Sequence, residues 1–310
     1  MRTPGSTRKR RWPRILLGVG TIAFLVAFGL WQDASNHGGQ KPAEPFRIAG
    51  NLFYVGASDA AAFLLTGPKG HVLIDGGYPG TAPMIVDSIA KLGFRITDVK
   101  LLLNSHGHFD HAGGLAALKG ASGARLWVSE GDADSVESGG ARDESLGPLR
   151  YLAVTGLIRY PAARVDRRLK DRTTIRLGPI ELTGHLTAGH TRGCTTWAIP
   201  LRDRGRDLLA VYLCEAGLAL NPFVSLVEPQ RYPGVRGDYE RSFVRLKSLP
   251  ADIYLAPHAR RFGRWRKFQA RSKGGDPVAP FIDPKGYREA IDRAEAKFRT
   301  LLAEQQRQGR

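Results

Sequence analysis

The stretch "HGHFDH", residues 106–111, follows the apolar run "VKLLLNS" without a break. It holds four groups able to bind a metal, His106, His108, Asp110 and His111, in a chain with only eight histidines. The run before it reads as a buried strand and "AGGLAALKGAS" after it as a helix, so the four residues occupy a strand-to-helix turn. A turn of that kind can aim several side chains at one point. Imidazole nitrogens together with a carboxylate oxygen form a borderline-soft donor set that suits zinc. One tetrahedral zinc could not use all four and keep a position open for chemistry, which makes a two-metal site the natural inference. Any fold for this chain has to end a buried strand at that turn.

Short strand and helix patterns alternate from Pro45 onward. "NLFYVG", "AAFLLTG" and "HVLIDGG" read as strands separated by glycine-containing turns. "APMIVDSIAKLG" reads as a helix closed by glycine, and "ARLWVSE" as a strand. A second set of strands, "TTIRLG", "IELTGHLTA", "CTTWAIPL" and "DLLAVYLCE", follows. It leads into the helix "YERSFVRLKSLP", the strand "ADIYLAPH" and the amphipathic helix "PKGYREAIDRAEAKFRTLLAEQQ". Two sets of strands, each closed by helices, predict an α+β fold with two sheets packed on each other and helices outside. Residues 131–161 read as irregular, and are expected to be surface loop bordering a site.

Residues 15–31, "ILLGVGTIAFLVAFGLW", carry no charge and follow the basic "RTPGSTRKRRWPR". A positive stretch before an apolar one of this length is the pattern of an export signal. The basic side should stay cytoplasmic, which places everything beyond about residue 35 across a membrane, in the periplasm or otherwise exported. The small residues near Ala34 make a poor cleavage site, leaving open whether the segment is removed or stays as a membrane tether. The chain therefore divides into residues 1–35, a linker at 36–45, and a folded domain at 46–310. Its formal charge of +17 and the stretch "RRFGRWRKF" raise contact with nucleic acid or anionic lipid. That stretch matches no named nucleic-acid-binding motif. The charge is read as general arginine richness, and no nucleic-acid partner is expected.

At "HGHFDH" the chain resembles the metallo-β-lactamase superfamily, whose HxHxDH signature it meets in full. The likeness continues in "HVLIDGGYP", with Asp75 in the position of an aspartate supporting the metal loop. It continues also in "LTAGHTRGCTTW", which supplies His190, and in "ADIYLAPH", which supplies His258. The wording of "YVG", "LIDGG", "GHTRGCTTW" and "QRYPGVRGDYERSFVRLKSLPADIYLAPH" is most similar to the third subclass of class B β-lactamases. The resemblance implies an αββα sandwich, two mixed sheets flanked by helices, with metals at one edge between the sheets. It implies two zinc ions, the first held by His106, His108 and His190, the second by Asp110, His111 and His258. It implies further that a hydroxide bridging the metals attacks the amide carbonyl of a small-molecule β-lactam, with Asp110 and His190 at the catalytic centre. His185 matches no ligand position and reads as structural; His37 and His71 fit no part of the constellation.

The chain departs from that pattern in "VYLCEAGLA". Two serines that help recognise a substrate carboxylate in the resembled subclass are replaced here by Glu215 and Gly217. Elsewhere in the superfamily a carboxylate or cysteine from this strand is a metal ligand, and strand alternation lets only one of Cys214 and Glu215 face the metals. Glu215 is the expected ligand, with Cys214 the alternative. If "CTTWAIPLRDRGRDLLAVYLC" is a hairpin turning near Asp203–Arg206, Cys194 and Cys214 fall close to opposite each other, and an exported chain could oxidise them. The departure leaves three activities in view: a zinc β-lactamase, a metallo-hydrolase of a lactone or thioester, and, on charge alone, a nuclease or nucleic-acid binder.

Overall fold

The computed structural model describes residues 40–145, 158–215, 225–227 and 232–308. The apolar segment 15–31, His37 and Gly217 lie outside the described residues. Among the described residues no helix is long and apolar enough to cross a membrane.

The first sheet begins as an antiparallel meander of β1 (Phe46–Ala49), β2 (Leu52–Tyr54), β3 (Phe63–Leu65) and β4 (His71–Ile74). Helix α1 (Ala82–Lys91) carries the chain to β5 (Val99–Leu103), which lies parallel to β4. The short α2 (Phe109–Ala112) and α3 (Leu115–Ser122) lead to β6 (Arg125–Ser129), and α4 (Glu130–Glu137) precedes β7 (Arg167–Leu169). These strands extend the sheet in parallel, in the spatial order β1 to β7. The second sheet is antiparallel through β8 (Thr173–Leu177), β9 (Ile180–Leu186), β10 (Thr195–Asp203) and β11 (Arg206–Tyr212). Helix α5 (Val235–Lys247) returns the chain to β12 (Ile253–Leu255), parallel to β11 at the sheet edge. Helices α6 (Arg264–Arg271) and α7 (Pro284–Gln308) follow.

Side-chain alternation assigns each face of the first sheet. Phe63 and Leu65 of β3, Val72 and Ile74 of β4, Leu101 and Leu103 of β5 and Trp127 of β6 point to one core. They meet Ile175, Leu182, Trp197, Ile199 and Tyr212 of the second sheet there. The intervening Leu64, Leu73, Leu102, Leu126 and Val128 point the other way, onto Ile85 and Ile89 of α1, Leu115 and Leu118 of α3, and Val136 of α4. Tyr239 and Phe243 of α5 and Tyr287 and Phe298 of α7 pack with the second sheet. Each fully buried leucine or phenylalanine contributes roughly 1.5–3 kcal/mol, so the layering is fixed by apolar burial on both sides of the first sheet. The result is the αββα arrangement that the resemblance implied.

One expectation needs correction. Residues 131–161 are not all loop, because Glu130–Glu137 forms helix α4. Its sequence "EGDADSVE" has only Ala133 and Val136 as apolar anchors, too few to show a helical period. Ala133 and Val136 are buried, and the rest of the inward face is polar: Asp132 and Ser135 make hydrogen bonds around the site. Gly131 is required by closeness, since a β-carbon there would come within 2.5 Å of the Arg192 backbone carbon.

Candidate metal centre

The parallel pairs β4–β5 and β11–β12 run the same way within their sheets, and the loops beyond their ends carry the donor residues. His106, His108, Asp110 and His111 follow β5, and His190 follows β9 in the turn to β10. Glu215 follows β11 and His258 follows β12. All seven residues expected as ligands come together, in three overlapping groups: His106, His108 and His190; His106, Asp110 and His111; His111, Glu215 and His258. Within each group the donor atoms all lie within 4.8 Å of one another. The structure also separates Cys214 from Glu215. Cys214 forms a disulfide with Cys194, their α-carbons 5.6 Å apart, while Glu215 Oε2 stands 3.9 Å from His258 Nε2.

The loop after β5 is held by buried carboxylates. Asp75, at the end of β4, adopts a left-handed backbone with φ 66° and is fully buried. Its Oδ1 accepts from Ser105 N at 2.6 Å and from Asn104 Nδ2 at 3.0 Å, and its Oδ2 accepts from Ser105 Oγ and Tyr212 OH. Tyr212 belongs to the second sheet, so this one carboxylate ties both sheets to the loop. Asp132 does similar service from α4: it accepts from Gly107 N, between His106 and His108, and from Thr191 Oγ1 and Gly193 N, which follow His190 in its turn. Burial, outweighing those bonds, pushes its carboxyl up to about 6.

Two further carboxylates act on individual imidazoles. His108 Nε2 lies 2.9 Å from Ser145 Oγ and 3.2 Å from Asp143 Oδ2. Its other ring nitrogen is thereby left for the group it shares with His106 and His190. Although burial lowers the basicity of His108, the neighbouring Asp143 carboxylate prevails and raises it to about 9. His258 Nδ1 is 3.0 Å from Asp59 Oδ2, and the adjoining loops are stitched by Ala259 N donating to Asp59 O at 2.7 Å. That contact directs His258 Nε2 toward Asp110 and Glu215. A carboxylate behind a metal-binding imidazole fixes ring orientation and raises donor strength. Asp59, Asp132 and Asp143 went unnoticed in the sequence because their partners lie far along the chain, and only Asp75 had a motif to mark it.

The donor set fits metal. His111 is wholly buried, yet neither ring nitrogen makes an aligned hydrogen bond, its Nε2 only standing beside Asp110, and Glu215 Oε1 is likewise without one. Buried polar atoms are ordinarily paired, so unsatisfied ones clustered together ask for an absent partner. His111 Nε2 lies 3.2 Å from Asp110 Oδ2, and His258 Nε2 lies 3.6 Å from the same oxygen. Donors about 2.0–2.1 Å from one tetrahedral zinc are separated by about 3.3–3.4 Å, which these spacings bracket. Burial and the neighbouring imidazoles hold His106 well below the usual histidine range, and metal ligation requires that neutral form. Burial opposes ionisation of Asp110, but His111 and His258 overcome it and hold the carboxyl well below its ordinary range. His185 stands apart with Arg245 Nη1 3.4 Å from its Nδ1, and His71 packs edge-on against Phe94.

Comparison with known proteins bears on the fold and the family. The chain resembles the native FEZ-1 metallo-β-lactamase of Legionella gormanii with 40% sequence identity and a TM-score of 0.80, over 86% of this chain and 98% of that one. It resembles BJP-1, a subclass B3 metallo-β-lactamase of Bradyrhizobium japonicum, with 34% identity and a TM-score of 0.77, over 88% and 98%. Among curated proteins it is 27% identical to a hydroxyacylglutathione hydrolase of Jannaschia sp. over 192 residues, 62% of this chain and 59% of that relative. The chain thus spans less than two thirds of that relative's length. The family model of the metallo-β-lactamase superfamily matches residues 55–258, a span that takes in every donor residue described above. The chain belongs to the metallo-β-lactamase superfamily.

Proposed function

We propose that the chain is a zinc-dependent hydrolase of the β-lactam amide bond. The observation that carries the reading is the pair of adjacent donor groups in which buried His111 and Glu215 atoms have no hydrogen-bond partner. In this reading His106, His108 and His190 hold one zinc, and Asp110, His111, Glu215 and His258 hold a second. When bound, two such ions supply a water nucleophile that ionises near neutral pH and a Lewis acid for the carbonyl and the departing nitrogen. The protein's part is placement. Asp75 and Asp132 fix the loops, Asp143 and Asp59 orient His108 and His258, and Asp110, kept ionised, serves as an acceptor facing both groups. Rigid placement of this kind removes reorganisation from the reaction step.

The β-lactam substrate is supported by likeness to subclass B3 structures across most of the chain. A second reading, hydrolysis of a thioester or lactone, is favoured by Glu215. It adds a carboxylate where the resembled subclass carries a serine, and a hydroxyacylglutathione hydrolase is among the relatives. Charge alone speaks for a nucleic-acid partner. Assay of the zinc-loaded chain on a chromogenic β-lactam and on a hydroxyacylglutathione thioester, side by side, decides: turnover of the first alone supports the proposal, turnover of the second alone replaces it. We also propose that the chain is exported, acts in the periplasm with or without an N-terminal tether, and protects its host from β-lactam antibiotics. Recovery of the protein in the cytoplasmic fraction of its host would contradict that.

A further inference from the structure

Arg261 sits on the 3₁₀ turn Ala259–Phe262, directly after His258. Its guanidinium Nη2 is 3.4 Å from Glu215 Oε1. The two side chains differ sharply in exposure, 36% for Arg261 against 2% for Glu215. Glu215 Oε1 makes no hydrogen bond, so the guanidinium faces it as a charge and not as an aligned donor. The other oxygen, Oε2, faces His258 Nε2 at 3.9 Å. One carboxylate therefore stands between a guanidinium on its solvent side and the donor group on its inner side.

The neighbouring cations are committed elsewhere. Arg260 pairs with Asp59, Arg264 Nη2 donates to Glu44 O at 2.9 Å, and Lys267 Nζ donates to Asp283 at 2.8 Å. Among the described residues, Arg261 is the arginine paired with Glu215. A carboxylate this deeply buried is costly without a counter-charge, so some cation has to serve it in every state of the protein. A metal ion and Arg261 compete for that role. They also repel each other across the few ångströms that separate Glu215 Oε1 from Oε2.

We propose that Arg261 is the resident counter-ion of Glu215, which neutralises the carboxylate before metal arrives and lowers the affinity of the Glu215 position for zinc. The inference rests on the reading of Glu215 as a metal donor and goes beyond it by naming what opposes metal entry. The loose, unaligned contact suits a partner that yields when a better cation binds. In consequence the all-imidazole group fills first, and the Glu215 group fills at higher zinc concentration.

The test uses the full chain stripped of metal, with zinc titrated against a competing chelator and melting followed with and without zinc. The proteins are the wild type, Arg261→Met, Arg261→Lys, and Arg266→Ala as an exposed basic control on the same segment. In Arg261→Met the dissociation constant of the weaker zinc should fall on the order of tenfold, the figure for a nearby charge discounted for solvent screening. The stripped variant should melt below wild type, because Glu215 has lost its counter-charge, so its zinc-induced rise in Tm should be the larger. Arg261→Lys should fall between, and Arg266→Ala should match wild type. A merely structural arginine would lower the stripped and loaded melting points equally and leave the weaker zinc unchanged or looser; either result overturns the proposal. A single zinc in wild type and two in Arg261→Met is its strongest support. A single zinc in every variant removes the Glu215 position and this inference with it, while β-lactam turnover by the wild type stands or falls in its own assay.

Discussion

Asp203 and Glu215 lie at opposite ends of the β10–β11 hairpin, both buried, and the fold treats them in opposite ways. Asp203, at the turn, accepts from Arg47 Nη1 at 2.8 Å and from Gly50 N at 2.9 Å, with Arg206 Nη2 at 3.5 Å. The Gly50 bond and then the Arg47 pair hold its carboxyl below the usual aspartate range. Glu215 has an oxygen with no hydrogen bond, and burial pushes its carboxyl up against the pull of His258 and Arg261. The first carboxylate is satisfied by the chain itself. The second has no aligned donor and only the loose Arg261 guanidinium on its solvent side, which leaves it open to a stronger cation. A buried charge held by aligned hydrogen bonds reports on architecture, whereas one left without them among histidines reports on function.

The sharpest way to break this contrast is to disable the unpaired end. Asp110→Asn should reduce the rate by ~10²-fold or more, because it removes a charge from the metal position and leaves the core untouched. Wild-type kcat and zinc content in that variant would show that Asp110 has been misplaced. Next in size is Asp59→Asn, which should weaken the more loosely held zinc by about 10–100-fold through loss of the carboxylate behind His258. Competition titration measures it, with Asp59→Glu recovering part of the loss.

At the satisfied end the expected effect is on folding. Asp203→Ala should cost about 1–3 kcal/mol in denaturant unfolding, since it strands buried donors beside partly exposed arginines, and should leave zinc stoichiometry alone. Loss of a zinc in this variant would erase the distinction between the two ends. The smallest effect is in pH. Because the folded state depresses the Asp203 carboxyl, its stabilisation is fully present above the unfolded aspartate pKa of about 4 and is lost as pH falls through the depressed value. The acid limb of the stability curve should therefore flatten in Asp203→Asn.

The same contrast explains what could be read from the sequence. The strands at 63–65, 71–74 and 99–103 are short apolar runs bounded by glycine or polar turns, so their period and ends were visible. His106 to His111 were visible because a strand-to-helix turn gathers donors locally. His190, Glu215 and His258 were found through likeness and not through pattern, since each stands alone on its segment. Helix α4 shows no helical period because only Ala133 and Val136 of its inward face are apolar, and Asp132 and Ser135 complete that face through hydrogen bonds. Asp59 reaches His258 across 199 positions and Asp132 reaches Thr191 across 59, separations at which a lone aspartate looks like any solvated residue. Arg261 was hidden in a basic run that read as general charge.

The central claim is that two metal ions complete a cluster the chain leaves unsatisfied. Elemental analysis of the purified chain, with hydrolysis assayed before and after chelation, tests it most directly. The account predicts close to two zinc ions per chain, activity abolished by chelator, and activity regained when zinc is returned. A zinc content of zero together with hydrolysis that survives the chelator would contradict it.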